Sequence, residues 1–375
     1  MYKAYRTKLK LNNKQRTLLA KHAGYSRWIW NWGLALWTEA YKQGLKPNAQ
    51  KLKKLFTNHC KPQFDWMSNL SSRVYQYVFI NLGQAFDRFF KKLGSYPKFK
   101  KKGRNDSFTL DNCGKLIQLG GCNQKLPFIG WLHTYEALPD CEVKKVTISK
   151  EADDWFIAFH VEHKPDAIEK PRTVVGVDLG INALATLSNG LVFENPKFLK
   201  SALRKVKRLQ KVLSRKVKGG SNRNKTRLKL ASSHQRVKNL RRDYLHKITT
   251  QLAKNHGEIV VEDLNVSGML ANHKLAAHIQ DVGFHEFRRQ LEYKCQWYGT
   301  KLTIADRFYP SSQLCSSCGH QQKMPLKERV YCCGQCSFVC DRDLNAAINL
   351  SNWGKRSPGS LLRDSRSDAP IEVGS

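Results

Sequence analysis

The sequence predicts an α/β protein with at least two units, and three observations support that prediction. Short apolar strand patterns alternate with longer helical patterns along most of the 375 residues. A polar, proline-containing segment at Pro165–Arg172 marks a boundary between a front part and a rear part. Six of the eleven cysteines fall between Cys315 and Cys340, which predicts a small metal-bound module late in the rear part.

The front part is expected to be a small β-barrel or sheet with helices inserted after its first strand. Tyr2–Leu11 is the first strand candidate, and Asn12 is suited to cap a helix that ends near Gly44. A second amphipathic helix is predicted from about Ser71 to Lys92. Ser107–Lys164 then shows the short alternating patterns that are typical of antiparallel strands.

Two features of the front part have competing interpretations. Four tryptophans between Trp28 and Trp37 favour a packed helical core, with stacking on unpaired nucleic-acid bases as the alternative. The segment Ser95–Arg104 mixes basic and aromatic residues, and it is either a solvated charge run or a loop that grips phosphates. In the second case the contacting residues are Lys98, Lys100, Lys101, Lys102 and Arg104.

The rear part alternates strands with helices, as in a sheet covered by helices. The predicted elements are strands over Val174–Gly180 and Ala183–Ser188, a helical hairpin over Pro196–Asn255 with its break at Gly219–Asn222, a strand over Glu258–Leu264, a helix over Phe284–Tyr298, a strand over Lys301–Phe308 and a helix over Leu344–Leu350.

The charge balance indicates a polyanionic partner. The chain carries 65 Lys and Arg against 30 Asp and Glu, a net charge of +35. The hairpin alone has 20 basic residues and one acidic residue, Asp243. We expect it to bind nucleic acid through residues that include Arg204, Lys205, Arg208, Arg241 and Arg242. Because no apolar run approaches the ~18 residues of a membrane span, we expect a cytoplasmic, nucleoid-associated protein with no membrane partner and no small-molecule substrate.

Two Cys-x-x-Cys pairs predict a structural zinc site. The pairs, 15 residues apart, are Cys315 with Cys318 and Cys333 with Cys336. Four thiolates fill the tetrahedral coordination that zinc adopts in structural sites, so one Zn²⁺ is expected. Cys332 and Cys340 flank the second pair and leave the choice of ligands partly open, although the spacing favours the four named first.

Three acidic residues stand at the ends of predicted elements. Asp178 ends the first rear strand, Glu262 follows an apolar run, and Asp343 opens the last helix. Singly, each has a structural explanation as part of a turn, a strand end or a helix cap. Together they predict a carboxylate cluster, which stays ionised only if cations lie within it. Two Mg²⁺ ions there would clamp the attacking water and the leaving oxygen of a phosphodiester.

Four motifs of the rear part resemble the TnpB (OrfB) family. They are GVDLG at Gly176–Gly180, VEDLN at Val261–Asn265, YPSSQLCSSCGH at Tyr309–His320 and CDRDLNAAINL at Cys340–Leu350. The front part is similar too, through the strand and Trp-rich helix of Met1–Gly44 and the segment Phe89–Leu110. The resemblance extends from Met1 to about Trp353.

The resemblance implies a fold and a set of domain boundaries. Residues 169–310 and 341–353 would form a RuvC-like nuclease domain with an RNase H-like fold, carrying the basic hairpin 196–255 and interrupted by a zinc ribbon at 311–340. Residues 1–12 and 95–168 would form a wedge-like β-barrel, with a helical recognition insertion at 13–94. The tail 354–375 is expected to be disordered.

The resemblance also implies an activity, since members of this family are insertion-sequence-encoded, RNA-guided DNA nucleases related to compact type V CRISPR effectors. The expected partners are guide RNA from the transposon end and target double-stranded DNA. The expected magnesium ligands and catalytic residues are Asp178, Glu262 and Asp343. Asp341 competes with Asp343, but it could instead cap the last helix. The alternatives are a nucleic-acid-binding regulator or transposition accessory protein without nuclease activity, and a zinc-containing transposase that moves DNA itself.

Overall fold

Two units make up the chain in the computed structural model. Unit 1 is Met1–Lys164 and unit 2 is Pro165–Ser375. The division falls at the start of the polar boundary segment. The structure describes residues 2–112, 116–139, 141–163, 168–171, 173–325 and 327–356. The part of the expected tail beyond residue 356 therefore lies outside the described residues.

Unit 1 is a seven-stranded antiparallel sheet with three α-helices after its first strand. Its elements are β1 (Tyr2–Lys10), α1 (Asn13–Lys42), α2 (Ala49–Leu55), α3 (Ser72–Phe90), β2 (Ser107–Asp111), β3 (Gln118–Gly120), β4 (Asn123–Leu126), β5 (Gly130–Thr134), β6 (Val143–Glu151) and β7 (Asp154–Glu162). The strand order is β2-β6-β7-β1-β5-β4-β3.

Strand β1 belongs to both halves of this sheet. Residues 2–8 pair with β7, whereas Leu9 and Lys10 pair with β5. Within the described residues, no ladder joins the two edge strands β2 and β3. The seven strands therefore form one continuous sheet. In the part of the chain that the structure describes, backbone pairing does not close this sheet into the expected barrel.

The tryptophans of α1 contribute to the core of unit 1. Trp30 and Trp37 are buried, and the Trp37 ring stacks on Phe86 of α3 with their centroids 4.1 Å apart. Trp28 and Trp32 are partly buried against the same core. Burial of these rings supports the core interpretation rather than a base-stacking surface.

Unit 2 contains a five-stranded mixed sheet, a helical hairpin and a small two-stranded sheet. Its elements are β8 (Val174–Leu179), β9 (Ala183–Leu187), β10 (Val192–Glu194), α4 (Phe198–Ser214), α5 (Ser221–Asn255), β11 (Glu258–Glu262), α6 (Val266–Ala271), α7 (Ala276–Val282), α8 (Phe284–Tyr298), β12 (Lys301–Ala305), β13 (Val330–Cys332), β14 (Val339–Asp341) and α9 (Arg342–Arg356). The order of the larger sheet is β10-β9-β8-β11-β12. β10, β9 and β8 are antiparallel, and β8, β11 and β12 run parallel.

The two faces of this sheet are covered by different helices. On one face, side chains such as Val177 and Val261 share a core with Leu252 of α5 and Phe287 of α8. On the other, Val260 packs with α9. The helices α5 and α8 thus cover one face of the sheet, and α9 covers the opposite face.

The structure differs from the sequence predictions in several bounds and in several short elements. Strand β12 stops at Ala305 because the Asp306 side chain accepts a hydrogen bond from the Phe308 backbone at 2.8 Å and forms a turn. The last helix reaches Arg356, since Gly354 still packs against the sheet, so residues 354–356 are helical and do not belong to a disordered tail. The short helices α2, α6 and α7 were not predicted, because six or seven residues carry little periodic signal.

The basic hairpin is formed by α4 and α5, joined by residues 215–220. Arg223 donates from Nη1 to the carbonyl oxygens of Leu213 and Lys216, at 2.5 and 2.9 Å, which satisfies groups at the end of α4. Among the described residues, no helix has the length and apolar character needed to traverse a lipid bilayer.

Candidate active site and metal centre

Two of the three predicted acidic residues leave adjacent parallel strands side by side. Val177 of β8 is the register partner of Val261 of β11. The next residue on each strand is an acid, Asp178 and Glu262 respectively. Because successive strand side chains alternate between faces, these two carboxylates lie on the face opposite the valines, which is the face covered by α9.

The third acidic residue reaches the same place because α9 lies unusually close to β8. A Cβ atom on Gly176 would lie 2.0 Å from the Ala347 carbonyl oxygen and 2.5 Å from the Ser351 nitrogen, so no side chain fits there. Asp343 lies in the first turn of α9. The helix therefore directs its acidic end toward the strand end that carries Asp178.

The electrostatics of the carboxylates reflect this convergence. Burial raises the pKa of Asp178 well above its ordinary value, and the negative charges of Glu262 and Asp343 raise it further. Burial also raises the pKa of Glu262, and burial together with Asp341 raises that of Asp343. Within the described residues, the four cysteines discussed below form the one group of three or more side chains close enough to share a metal ion, and the three carboxylates do not form a second such group.

One hydrogen bond holds Glu262 in place, and others engage the competing acid Asp341. Ser311 donates from Oγ to Glu262. The Oδ1 atom of Asp341 accepts from the backbone nitrogens of Asp343 and Leu344 at 2.9 and 3.0 Å, so Asp341 caps α9. A carboxylate engaged in this way is less available to a metal, which favours Asp343 over Asp341 as the third ligand.

Two buried asparagines of α9 connect the acidic site to the cysteine cluster. Asn349 donates from Nδ2 to the carbonyl oxygens of Ser311 and Leu314, at 2.8 and 2.7 Å. Asn345 bonds the same loop through the Leu314 carbonyl at 2.7 Å and the Ser316 nitrogen at 2.9 Å. Sequence reasoning did not assign roles to these residues or to Ser311. All three stand inside the motifs quoted above, but only the fold reveals their partners.

The four predicted zinc ligands come together. The Sγ atoms of Cys315 and Cys336 are 3.6 Å apart, as are those of Cys318 and Cys333. A tetrahedron with zinc–sulfur distances of about 2.3 Å has edges of about 3.8 Å, so the thiols fit this ion. Backbone N–H groups of Cys336 and Gln335 lower the pKa of the Cys333 thiol to about 6, which favours the thiolate that a metal binds.

Cys332 and Cys340 lie outside this cluster. They belong to β13 and β14, which pair antiparallel. Each Cys-x-x-Cys pair is followed by a tight turn in which a residue with positive φ donates its backbone N–H to the carbonyl of the first cysteine. These residues are Gly319, with φ 77°, and Ser337, with φ 56°. The repeated geometry accounts for the choice of Cys315, Cys318, Cys333 and Cys336 over the two flanking cysteines.

Most of the predicted nucleic-acid contacts are exposed, including Arg242, which donates from Nε to His246 at 3.4 Å, but two are half-buried against partners within the chain. The Lys100 ammonium lies 4.2 Å from the centroid of the Trp30 ring, and burial lowers its pKa. Arg241 bonds Asp281 at 2.5 Å. The exposed candidates are Lys98, Lys101, Lys102, Arg104, Arg204, Lys205, Arg208 and Arg242. Lys100 and Arg241 therefore already contact other groups of the chain, and their binding to nucleic acid stays a prediction.

Three family models match the chain. OrfB_IS605, described as "Probable transposase", matches residues 157–273, and the model described as "Cas12f1-like, TNB domain" matches residues 284–350. A model described as a helix-turn-helix domain matches residues 1–46, where the structure has the strand β1 followed by the single helix α1.

Curated relatives align with nearly the whole chain. The protein named "Putative RNA-guided DNA endonuclease InsQ" of Escherichia coli (strain K12) is 33% identical over 367 residues, which is 92% of this chain and 91% of the relative. A Streptomyces pristinaespiralis protein with the same description, without the name InsQ, is 39% identical over 296 residues, covering 76% of this chain and 72% of the relative.

The fold is also found among solved structures. That of the mini-RNA-guided endonuclease CRISPR-Cas_phi3 aligns over 94% of this chain and 92% of the other, with a TM-score of 0.50 and 10% sequence identity, a likeness of fold alone. The OrfB_IS605 match and the extent of the curated similarities show that the chain belongs to the OrfB (TnpB) family.

Proposed function

We propose that this chain is an RNA-guided DNA endonuclease that hydrolyses phosphodiester bonds in double-stranded DNA with Asp178, Glu262 and Asp343. The observation that carries the proposal is the arrangement of these acids, two on adjacent strand ends and one on the helix that covers them. The names of the relatives agree with this activity.

The donor chemistry of the acidic site fits magnesium. Carboxylate oxygens are hard ligands, and Mg²⁺ usually binds proteins through one or two of them. When bound, a pair of such ions activates a water and stabilises the leaving oxygen of a phosphodiester. Asp178, Glu262 and Asp343 would hold them, and Ser311 would orient the Glu262 carboxylate by its hydrogen bond.

The expected RuvC-like domain has support in the topology of unit 2. An antiparallel run β10-β9-β8 followed by the parallel strands β11 and β12 agrees with the RNase H-like fold that the family resemblance implies. In this assignment the residues 311–340 form the inserted zinc ribbon, with one structural Zn²⁺ on four thiolates. In unit 1 the sheet would be the wedge-like domain, and α1–α3 the helical recognition insertion.

The nucleic-acid partners would be guide RNA from the transposon end and a matching DNA duplex. The hairpin α4–α5 supports this, because all of its charged residues except Asp243 are basic. The exposed residues Lys98, Lys101, Lys102 and Arg104 add a second basic segment in unit 1.

A cleavage assay with matched acid variants tests the proposal. The protein is purified with its bound RNA, the RNA is sequenced, and a plasmid carrying the complementary target is incubated with Mg²⁺. We expect a defined RNA and a cut plasmid with the unsubstituted chain. Asp343→Asn should remove the activity, whereas Asp341→Asn should retain it, because Asn caps a helix as well as Asp does.

Two outcomes would contradict this assignment. Cleavage that survives Asp178→Ala would locate the chemistry elsewhere. Binding of a guided target without cleavage by the unsubstituted chain, at any Mg²⁺ concentration, would favour the regulator that lacks nuclease activity.

A further inference from the structure

The loop that follows β12 exposes an aromatic ring beside the acidic site. Ala305, the last residue of β12, is the register partner of Glu262, so the loop Asp306–Pro310 leaves the sheet at the edge where the carboxylates meet. Phe308 in this loop is 87% exposed. Among the described residues, no other large apolar side chain is exposed to that extent.

This exposure is imposed by the residues on both sides of the ring. Asp306 accepts hydrogen bonds from the Phe308 nitrogen through its side chain, at 2.8 Å, and from the Tyr309 nitrogen through its carbonyl, at 3.1 Å. The Tyr309 ring packs on Trp353 with centroids 4.6 Å apart, and its hydroxyl donates to the Asn349 carbonyl at 3.2 Å. With Tyr309 anchored inward, the backbone directs Phe308 outward.

A guanidinium accompanies the exposed ring. Arg307 is about half exposed, and its Nη2 atom lies 2.5 Å from the Asp263 carboxylate. Arg288 bonds the other oxygen of the same carboxylate at 2.6 Å and also bonds Glu292 at 3.3 Å, so two arginines and two carboxylates form one ion-pair network. Both arginines and Glu262 line a cavity of about 390 Å³. Arg307 and the exposed ring of Phe308 thus follow each other in a loop that leaves the sheet beside Glu262.

We propose that Phe308 and Arg307 form a binding site for unpaired DNA, called the seat below. Phe308 stacks on a base and Arg307 contacts a phosphate, so that the next phosphodiester linkage of the strand reaches the carboxylates. The inference rests on the proposed function. Base stacking on an aromatic ring is tolerant of sequence, which suits an enzyme whose target is chosen by another molecule. Phe308 is a positioning residue, since it acts on the strand and not on the reacting atoms.

Binding of single-stranded DNA in an inactive background tests this seat without cleavage. The RNA-bound Asp178→Ala protein is titrated with a fluorescent single-stranded DNA of unrelated sequence and, separately, with a fluorescent RNA. We expect Phe308→Ala to raise the Kd for DNA about tenfold and Phe308→Trp to restore it. The control is Phe128→Ala, which removes an exposed ring of the same type in unit 1.

Cleavage kinetics in the active background separate this inference from the proposed function. Phe308→Ala should raise KM with little change in kcat, and Phe308→Trp should return KM to its original value. Unchanged DNA affinity in Phe308→Ala, or an equal loss in Phe128→Ala, would overturn the seat even if the enzyme cuts DNA. A loss confined to RNA would assign the ring to guide binding and would also overturn it. No cleavage by the unsubstituted chain would instead contradict the proposed function.

Discussion

Gly176 sets the distance between strand β8 and helix α9. The backbone of Ala347 and Ser351 in α9 fills the space next to Gly176. A Cβ atom on Gly176 would lie 2.0 and 2.5 Å from main-chain atoms of these two residues. Main chain within a packed helix cannot rotate away as a flexible side chain can. The missing side chain therefore permits the contact that brings Asp343 toward Asp178.

Gly176→Ala should separate the helix from the sheet. We expect a loss of about 3 kcal/mol in the free energy of unfolding, at the upper end for overpacking, together with loss of DNA cleavage. Gly24→Ala is the matched control, because Gly24 lies inside α1 with only the tip of Arg27 nearby at 3.6 Å. Gly24→Ala should raise the free energy of unfolding by up to about 1 kcal/mol. Denaturant unfolding measures both, and equal effects of the two changes would contradict the explanation.

Ser337 holds a backbone conformation that glycine adopts more easily. Its φ of 56° matches the 77° of Gly319 at the equivalent point of the other cysteine pair. We expect Ser337→Gly to tighten zinc binding by about 1 kcal/mol and Gly319→Ser to weaken it by a similar amount. Competition with a chromophoric chelator measures the affinity. A weaker site in Ser337→Gly would show that the serine side chain contributes more than its backbone strain costs.

At the scale of elements, helix α9 connects the acidic site to the four-cysteine cluster. Its first turn carries Asp343, and its buried face carries Asn345 and Asn349, which bond the loop between Ser311 and Ser316. That loop holds Glu262 through Ser311 at one end and supplies Cys315 of the four-cysteine cluster at the other. The zinc site is therefore expected to support the acidic site through α9 and not to take part in chemistry.

Asn349→Ala should disturb the acidic site without touching an acid. It leaves the Ser311 carbonyl without this donor and removes one of the two amide donors to the Leu314 carbonyl, both in a buried environment. We expect a cost of about 2 kcal/mol in unfolding free energy and a fall in kcat as Ser311 loses its position. Asn352→Ala is the control, one turn further along α9 and partly exposed. Retention of full activity by Asn349→Ala would contradict the role of α9 in positioning the acidic site.

The basic hairpin combines two kinds of basic residue. Arg241 bonds Asp281, which is only 9% exposed and also accepts from the Leu199 nitrogen at the start of α4. Arg204, Lys205 and Arg208 are exposed. Position along the hairpin does not distinguish these groups, but their partners do.

The two groups should respond differently to removal of charge. Arg241→Gln should cost about 2 kcal/mol of stability, below the range for a fully buried pair. The triple change of Arg204, Lys205 and Arg208 to Gln should leave stability nearly unchanged and reduce the slope of log affinity against log salt concentration by up to about 3. Nucleic-acid titrations at several salt concentrations measure the slope. A stable triple variant with an unchanged slope would exclude this surface from phosphate contact.

At the scale of the whole molecule, the sequence predicted what local patterns encode. The helix over Phe284–Tyr298 has the predicted bounds, and both acid-bearing strands follow from short apolar runs. The placement of β11 beside β8 depends on contacts between segments more than 80 residues apart, which no local pattern contains. For the same reason the sequence does not show that Lys100 and Arg241 have partners within the chain, since it displays a charge but not its surroundings.

The excess of positive charge should make the stability of the protein respond to salt in opposite ways with and without nucleic acid. With a net charge of +35, repulsion among cations destabilises the RNA-free chain, and salt shortens the Debye length from about 10 Å at 0.1 M to about 3 Å at 1 M. We expect NaCl to raise the Tm of the RNA-free protein by several degrees, and bound RNA to raise Tm most at low salt, where its affinity is highest. Thermal unfolding over a salt series measures both trends. A Tm of the RNA-free protein that falls as salt rises would mean that its ion pairs, such as Arg241 with Asp281, outweigh the repulsion among the unpaired cations.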